Sequence, residues 1–319
     1  MRQISSFVLA LGLAALVGCG DSGTTSTGST TTGSGGGGTG GDGGGTPTGK
    51  PLKIANWNVH NLLNDKDDSP APDETIETTA KYQAHIQAIA AVLGDMDPDV
   101  AVLAEVENQS TLDDLNAALG NRYVEARLID ANDPRGVDIA ALSKLPFSSV
   151  VSHATDEFAV EGTAAPTYQF ARDAVEYHFT FEGQEIALVG VHLRSKGPPD
   201  DPNKRLAEAE RARAIANDLT TANPDLAVAI LGDFNDLPDS APWKAVAGSA
   251  SDLYSDAPGN IADPDRWTFD FMGAQELIDH QMGNAKLTSR LDKSSVIIRH
   301  SADVGVASDH APMMATYLF

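Results

Sequence analysis

Three short strings in this chain bring residues capable of ion binding and proton transfer to the ends of apolar runs. They are Val-His-Leu-Arg-Ser-Lys at 191–196, Gly-Asp-Phe-Asn-Asp at 232–236 and Ser-Asp-His at 308–310. Carboxylates offer hard oxygen ligands, imidazole titrates near neutrality, and arginine matches the geometry of a phosphate. Their combination points to metal-assisted cleavage of a phosphate ester.

Each candidate follows the same hydrophobic-then-polar pattern. Asp233 and Asn235 come just after the run Ala-Val-Ala-Ile-Leu, where sites form beyond the carboxyl ends of strands in α/β sheets. Their i, i+2 spacing points both the same way on an extended backbone. His192 closes Ile-Ala-Leu-Val-Gly-Val, with Arg194 and Lys196 beside it, and Glu105 lies at the end of Val-Ala-Val-Leu-Ala. A carboxylate in so apolar a strand needs a partner or a cation. Asn58 sits in Ala-Asn-Trp-Asn-Val, and Asp279-His280 follows Glu-Leu-Ile. Asp309 and His310 precede the last apolar run, and reach one site only from irregular backbone, because neighbours on a strand face opposite sides. Taken singly, each has an ordinary structural reading, such as a capped turn, a satisfied core histidine or solvated loop charges. Their recurrence at so many strand termini is what argues for a shared site.

The elements that must position these residues are legible in outline. Apolar positions Ile76, Tyr82, Ile86, Ile89 and Val92 recur at helical spacing, predicting a helix over 75–93 with Gly94 as its stop. Further helices are predicted over 110–119 and 203–221. Strands are predicted at 52–58, 99–106, 123–129, 137–142, 149–153, 168–181, 185–193, 227–231, 276–278, 295–300 and 313–318. Strands and helices alternate in the first and third quarters and strands dominate between. That arrangement suits two packed sheets with helices outside.

Composition sets further bounds. Arg2 and the eleven-residue apolar stretch Phe7–Val17, too short to span a bilayer, predict a targeting segment. It ends in Leu16-Val17-Gly18-Cys19, which resembles the bacterial lipobox, so residues 1–18 are expected to be a lipoprotein signal and Cys19 the lipidated residue. Cys19 is the sole cysteine, which excludes an intramolecular disulfide. Residues 19–50, rich in Gly, Thr and Ser, are expected to be a disordered linker, and 51–319 a single catalytic domain. The expected location is outside the cytoplasm, anchored to a bacterial membrane and facing periplasm or cell surface. The charges of residues 1–50 cancel, so 51–319 carries the whole net charge of −23. So acidic a surface argues against a tight nucleic-acid binder, though a bound cation reverses the local sign in a cleft. Asp65, Asp67, Asp68, Asp73 and Glu74 read as a solvated acidic loop without the spacing of a calcium-binding helix–loop–helix. No pair of histidines one helical turn apart suggests zinc.

With these motifs in order, the chain resembles the endonuclease/exonuclease/phosphatase superfamily, the pancreatic-deoxyribonuclease-like phosphoesterases, from about Leu52 to Phe319. The resemblance implies an α/β fold, a four-layer αββα sandwich of two packed mixed β-sheets flanked by helices. It implies Mg²⁺ or Mn²⁺, and in some members a structural Ca²⁺. Carried over by motif, Glu105 becomes the metal-binding carboxylate, Asp309 a further metal ligand and Asn58 a metal or water-orienting residue. Phe170-Ala171-Arg172-Asp173 resembles the segment whose arginine meets the phosphate, shared with His192 and Asn235. Asp279 becomes the residue that orients His310, while either Asp233 or His310 activates water. Arg135-Gly-Val-Asp138 resembles a strand that brings one more polar residue to the cleft, either Arg135 or Asp138.

The reading is therefore a metal-dependent phosphodiesterase, best matched to secreted bacterial nucleases acting on DNA or RNA. It is expected to be monomeric and to need no protein partner. A phospholipid or sugar-phosphate esterase of the same fold is the first alternative. The sequence shows no conspicuous aromatic hairpin for a bilayer, and aromatics make up only 6% of the chain. A surface binding module that has lost its chemistry is the other alternative.

Overall fold

The computed structural model describes residues 47–68, 75–249 and 252–319. Cys19, the signal and most of the Gly/Thr/Ser tract lie outside the described residues.

In chain order the first half holds β1 (Pro51–Leu62), α1 (Thr79–Met96), β2 (Val100–Val106), α2 (Gln109–Ala118), β3 (Glu125–Leu128) and β4 (Asp138–Ser143). There follow β5 (Ser149–Ser152), β6 (Ala174–Phe181), β7 (Gln184–His192), α3 (Pro202–Ala222), β8 (Ala227–Asp233) and α4 (Ala241–Ala247). The chain closes with β9 (Ser255–Asp256), β10 (Phe269–Phe271), β11 (Ala274–Glu276), β12 (Asp279–Gly283), α5 (Ala285–Thr288), β13 (Leu291–Ile298), α6 (Val304–Ala307) and β14 (Met313–Leu318).

These strands build two six-stranded sheets, ordered β13-β14-β1-β2-β4-β3 and β5-β6-β7-β8-β12-β9, with β10-β11 as a separate hairpin. Each large sheet is mixed. β1 pairs with β2, and β7 with β8, in parallel, while the other pairings are antiparallel. Alternation along the strands sends one set of side chains to each face. Leu52, Ile54, Val102, Val175, Tyr177, Leu188 and Leu231 meet between the sheets. Trp57, Leu103 and Leu142 face α1 and α2 through Ile86, Ile89 and Leu112. Val189, Val228 and Ile230 face α3 and α4 through Ala212, Ile215 and Val246. The result is the four-layer αββα sandwich. Gly190 lets the sheets approach, since a Cβ there would lie 2.8 Å from Val102 Cγ1.

Several boundaries differ from the sequence reading, each for a local reason. Thr78 caps α1 by accepting from Lys81 N–H, which leaves Ile76 outside the helix and 52% exposed. Gly94 does not stop α1. A mid-helix glycine costs only about 1 kcal/mol relative to alanine, and Leu93 and Met96 both bury, so the helix runs on to Asp97 in the left-handed region. The strand expected over 168–181 begins only at Ala174, after Asp173 turns with φ 83°. Residues 276–278 do not form the predicted strand. Glu276 ends a hairpin, Leu277 and Ile278 are a buried link, and the strand starts at Asp279.

On the outer face of β6, the buried Glu176 binds two imidazoles, His153 Nε2 at 2.8 Å and His178 Nε2 at 2.6 Å. Asp156 holds His153 Nδ1 at 2.9 Å, and Arg211 holds Asp156. Burial works to raise the Glu176 carboxyl, but the two histidines bring it down to about 2. Burial works to lower His153, and Glu176 and Asp156 raise it instead. Stability from Glu176 is thus present above its ordinary value of 4.5 and lost as pH falls from there toward about 2. Stability from His153 is complete below 6.5 and lost as pH rises through its raised folded value. Glu176→Gln should lower the unfolding free energy by about 3 kcal/mol near pH 5.5 and by far less near pH 2. Urea unfolding at the two pH values checks this, and an equal deficit at both would refute it.

Candidate active site

The carboxyl ends of β1, β2, β7 and β8 open on one cleft of about 410 Å³. Asn58, Glu105, Arg172, His192, Asp233, Asn235, Asp309 and His310 all line it, although they are scattered over most of the domain's length. Asp279 stands behind His310.

Asp233 is the hub. Gly232 precedes it with φ 132°, where a Cβ would lie 2.0 Å from Val191 O, so the Gly-Asp string needs its glycine for close backbone approach. In register, Asp233 lies beside His192 on β7 and Asp279 on β12. Its Oδ2 accepts from Asn58 Nδ2 at 3.1 Å across the sheets, and its Oδ1 accepts from Asn235 N–H at 2.7 Å. His192 Nε2 is 3.5 Å, and His310 Nε2 3.9 Å, from Oδ2. Asp279 Oδ2 binds His310 Nδ1 at 2.7 Å, and Thr268 Oγ1 accepts from Asp279 N–H. Ser308 Oγ donates to Asn58 O and accepts from His310 N–H, which fixes the irregular turn that carries His310 inward. Phe269 packs on the His310 ring with centroids 4.8 Å apart.

The electrostatics follow from burial and neighbours. Burial, then the nearby Asp279, raises Asp233 to about 7. Burial opposes a charged His310, but Asp279, Asp233 and Asp309 overcome it and raise the imidazole to about 10. Burial, with Arg172, Arg135 and His310, drives His192 well below its ordinary value, so it is neutral.

Glu105 stands on the other wall, turned into the cleft by a left-handed backbone (φ 66°) that interrupts the β1–β2 and β2–β4 registers. Its Oε2 accepts from Asn61 N–H at 2.8 Å. Its Oε1 lies 3.7 Å from Arg135 Nη2 and 3.9 Å from His192 Nε2. Asp309 is 41% exposed at the rim, 3.4 Å from His60 Nδ1. Glu105, Asp309 and Asn58 all line this cleft and offer hard oxygen donors of the kind Mg²⁺ or Mn²⁺ prefers, with Asn58 Oδ1 also accepting from His60 N–H at 3.0 Å. Asp233, Asp279 and His310 also place ligand atoms within 4.8 Å of one another. There Asp279 Oδ2 and His310 Nδ1 bind each other and Asp233 accepts from Asn58 and Asn235, while Asp279 Oδ1 has no hydrogen-bond partner. Among the described residues, the acidic loop of Asp65, Asp67 and Asp68 forms no such group.

The choice between Arg135 and Asp138 falls to Arg135. It lines the cleft and bonds Asn61 Oδ1, whereas Asp138, the first residue of β4, is buried outside the cleft lining, accepts from Ala131 N–H, and is raised to about 8 by burial. Sequence reasoning missed Asp133, which holds both guanidiniums, Arg172 Nε at 2.7 Å and Arg135 Nη2 at 2.9 Å. Burial works to raise Asp133, and the two arginines lower it. Its one signal was an Asp-Pro-Arg turn. His60, Asn61 and Phe269 were missed as well. So was the β10–β11 hairpin. Contrary to the sequence reading it is aromatic, and its tip presents Phe271 at 59% and Met272 at 92% exposure.

The family model for the Endonuclease/Exonuclease/phosphatase family matches residues 53–258. The chain belongs to this family and is a phosphoester hydrolase. Truncated TDP2 from Caenorhabditis elegans is similar over 85% of this chain and 99% of its own, at 17% identity and TM-score 0.57. An endonuclease/exonuclease/phosphatase family protein from Leptotrichia buccalis aligns over 84% and 100%, at 15% identity and TM-score 0.56. TDP2 from D. rerio, complexed with a single strand DNA product, aligns over 84% and 98%, at 18% identity and TM-score 0.55. These likenesses show the fold. No curated protein matches the chain significantly.

Proposed function

We propose that this chain is a divalent-metal-dependent phosphodiesterase acting on nucleic acid, exported and held at a bacterial membrane through Cys19. The observation that carries the chemistry is the Asp279–His310–Asp233 chain of contacts facing Glu105 and Arg172 across one cleft. Glu105, Asp309 and Asn58 would hold the ion, which neutralises charge on a non-bridging phosphate oxygen when bound.

The protein's own residues do the rest. Asp279 is engaged with His310, so Asp233 is the carboxylate left to take the proton of the attacking water. Asn58 and Asn235 orient that carboxylate. Water oxygen bonds to phosphorus as the opposite P–O bond breaks, and the leaving oxygen takes a proton from solvent. Arg172, fixed by Asp133 and Leu193 O, and the neutral His192 donate to the phosphoryl oxygens. The single-stranded DNA product held by the D. rerio TDP2 neighbour supports nucleic acid as substrate. The Leu-Val-Gly-Cys string and the Gly/Thr/Ser tract support a tethered, extracytoplasmic location.

One observation favours a phospholipid as a second reading. The exposed Phe271 and Met272 extend from the strand that carries Phe269, against His310. A single panel separates the readings: plasmid DNA, RNA, sphingomyelin and a generic diester, each with Mg²⁺, Mn²⁺ or excess EDTA. Cleavage of DNA or RNA that EDTA abolishes is expected. Cleavage of sphingomyelin alone would replace the nucleic-acid reading, and inactivity on all four would remove the phosphodiesterase.

A further inference from the structure

We propose that Glu208, remote from the reacting atoms, is a positioning residue. From the inner face of α3 its carboxylate ties together the two loops that present Arg172 and Arg194 to the cleft. The inference rests on the phosphodiesterase reading for its kinetic consequence, but not for its structural one.

Glu208 is fully buried (0% exposed), and both of its oxygens are used. Oε1 accepts from Ala171 N–H at 2.8 Å, and Oε2 accepts from Arg194 N–H at 2.5 Å. Ala171 immediately precedes Arg172. One carboxylate therefore joins the loop that ends in β6 to the loop that leaves β7. Arg205, one helical turn earlier on α3, holds the same residue through its other backbone group, donating from Nη1 to Arg194 O at 3.0 Å. Through Nε it also binds Asp236, at the end of the Gly-Asp-Phe-Asn-Asp string, at 3.0 Å. Leu193 O, the next carbonyl back, accepts from Arg172 Nη1 at 3.2 Å and from Asn235 Nδ2 at 3.0 Å. Two side chains of one helix face thus brace Arg172, Arg194, Asn235 and Asp236.

A buried acid in a helix is usually a costly core group, and the ordinary explanation for Glu208 is structural satisfaction. What it satisfies distinguishes it. Both backbone donors belong to segments whose side chains line the cleft, and the burial is not offset by a full ion pair, since Lys204 Nζ stands 3.9 Å away. Burial raises the carboxyl to about 7, against the pull of the two backbone donors and Lys204. An uncharged isostere should therefore fold. It should not hold both loops, because an amide offers one oxygen, and its NH₂ would face a backbone N–H.

The test is Glu208→Gln, with a generic phosphodiester as substrate. The expected result is a thermal midpoint close to wild type and a KM raised about tenfold, with a smaller loss in kcat. Amide hydrogen exchange at Ala171 or Arg194 should be faster. Arg205→Gln frees the Arg194 carbonyl and should raise KM in the same way, which keeps the test alive if the Glu208→Gln variant folds poorly. A general loss of folded enzyme would lower kcat at constant KM, and that pattern in both variants would overturn the proposal. So would unchanged exchange at both amides in Glu208→Gln. If wild-type enzyme cleaves no diester, the phosphodiesterase reading fails by itself. The exchange rates then still decide whether the clamp exists.

Discussion

Asp233→Asn should lower turnover of a phosphodiester by about 10³-fold, the range a positioned general base supplies, while the protein stays folded. The expectation follows from where the carboxylate sits. It is 2% exposed, paired in register with His192 and Asp279, and aimed by Asn58 and Asn235. An Asn can still accept from Asn235 N–H, but its NH₂ would face Asn58 Nδ2 and has no capacity to take a proton from water. The protein should still fold, because relieving a desolvated carboxylate beside Asp279 offsets the lost Asn58 hydrogen bond. His310→Ala should be similarly inactive, and the double variant little worse than either, since the two act as a unit. Initial rates with circular dichroism as the folding control check this. A variant within fivefold of wild type would remove Asp233 from the reaction.

The second large effect concerns the ion. Excess EDTA should abolish activity, and Glu105→Gln should raise the Mn²⁺ concentration needed for half-maximal activity by about 100-fold, since even residues behind a metal ligand are worth 10–100-fold in affinity. The left-handed backbone at Glu105 is the reason for singling it out. A bulky non-glycine residue at φ 66° is strained, and the strain turns the carboxylate from a buried strand into the cleft. Titration calorimetry with Mn²⁺ gives a readout independent of turnover. An unchanged Mn²⁺ titration in Glu105→Gln would assign the ion to other residues, of which Asp233, Asp279 and His310 are the nearest alternative set.

Much of the site could be read because its residues obey a one-dimensional rule. His192 and Asp233 lie at the carboxyl ends of continuous apolar runs, and such runs become buried strands whose ends reach the rim. The family model ends at residue 258, yet Asp279 and the Ser-Asp-His string were still visible as polar breaks next to apolar segments. Residues without that signature were lost. Asp133 sits in an irregular loop, and its importance lies in two arginines that approach from different segments. Glu208 looks like any acid in a charged helix, and its face is decided by how α3 docks on β7 and β8. The hairpin escaped because Phe269-Asp-Phe-Met-Gly is too short for alternation to stand out from a turn.

Local chemistry along the chain thus determined which strands would be buried, where they would end and which side chains would stand at those ends, because burial periodicity and turn residues act over a few neighbours. Only the tertiary structure decided that Asn58 of one sheet meets Asp233 of the other, that Arg135 rather than Asp138 enters the cleft, and that Phe269 covers His310. Those outcomes depend on the register and the packing distance of two sheets pressed face to face. Both are set by side chains far apart in sequence, and neither is a property of any one segment.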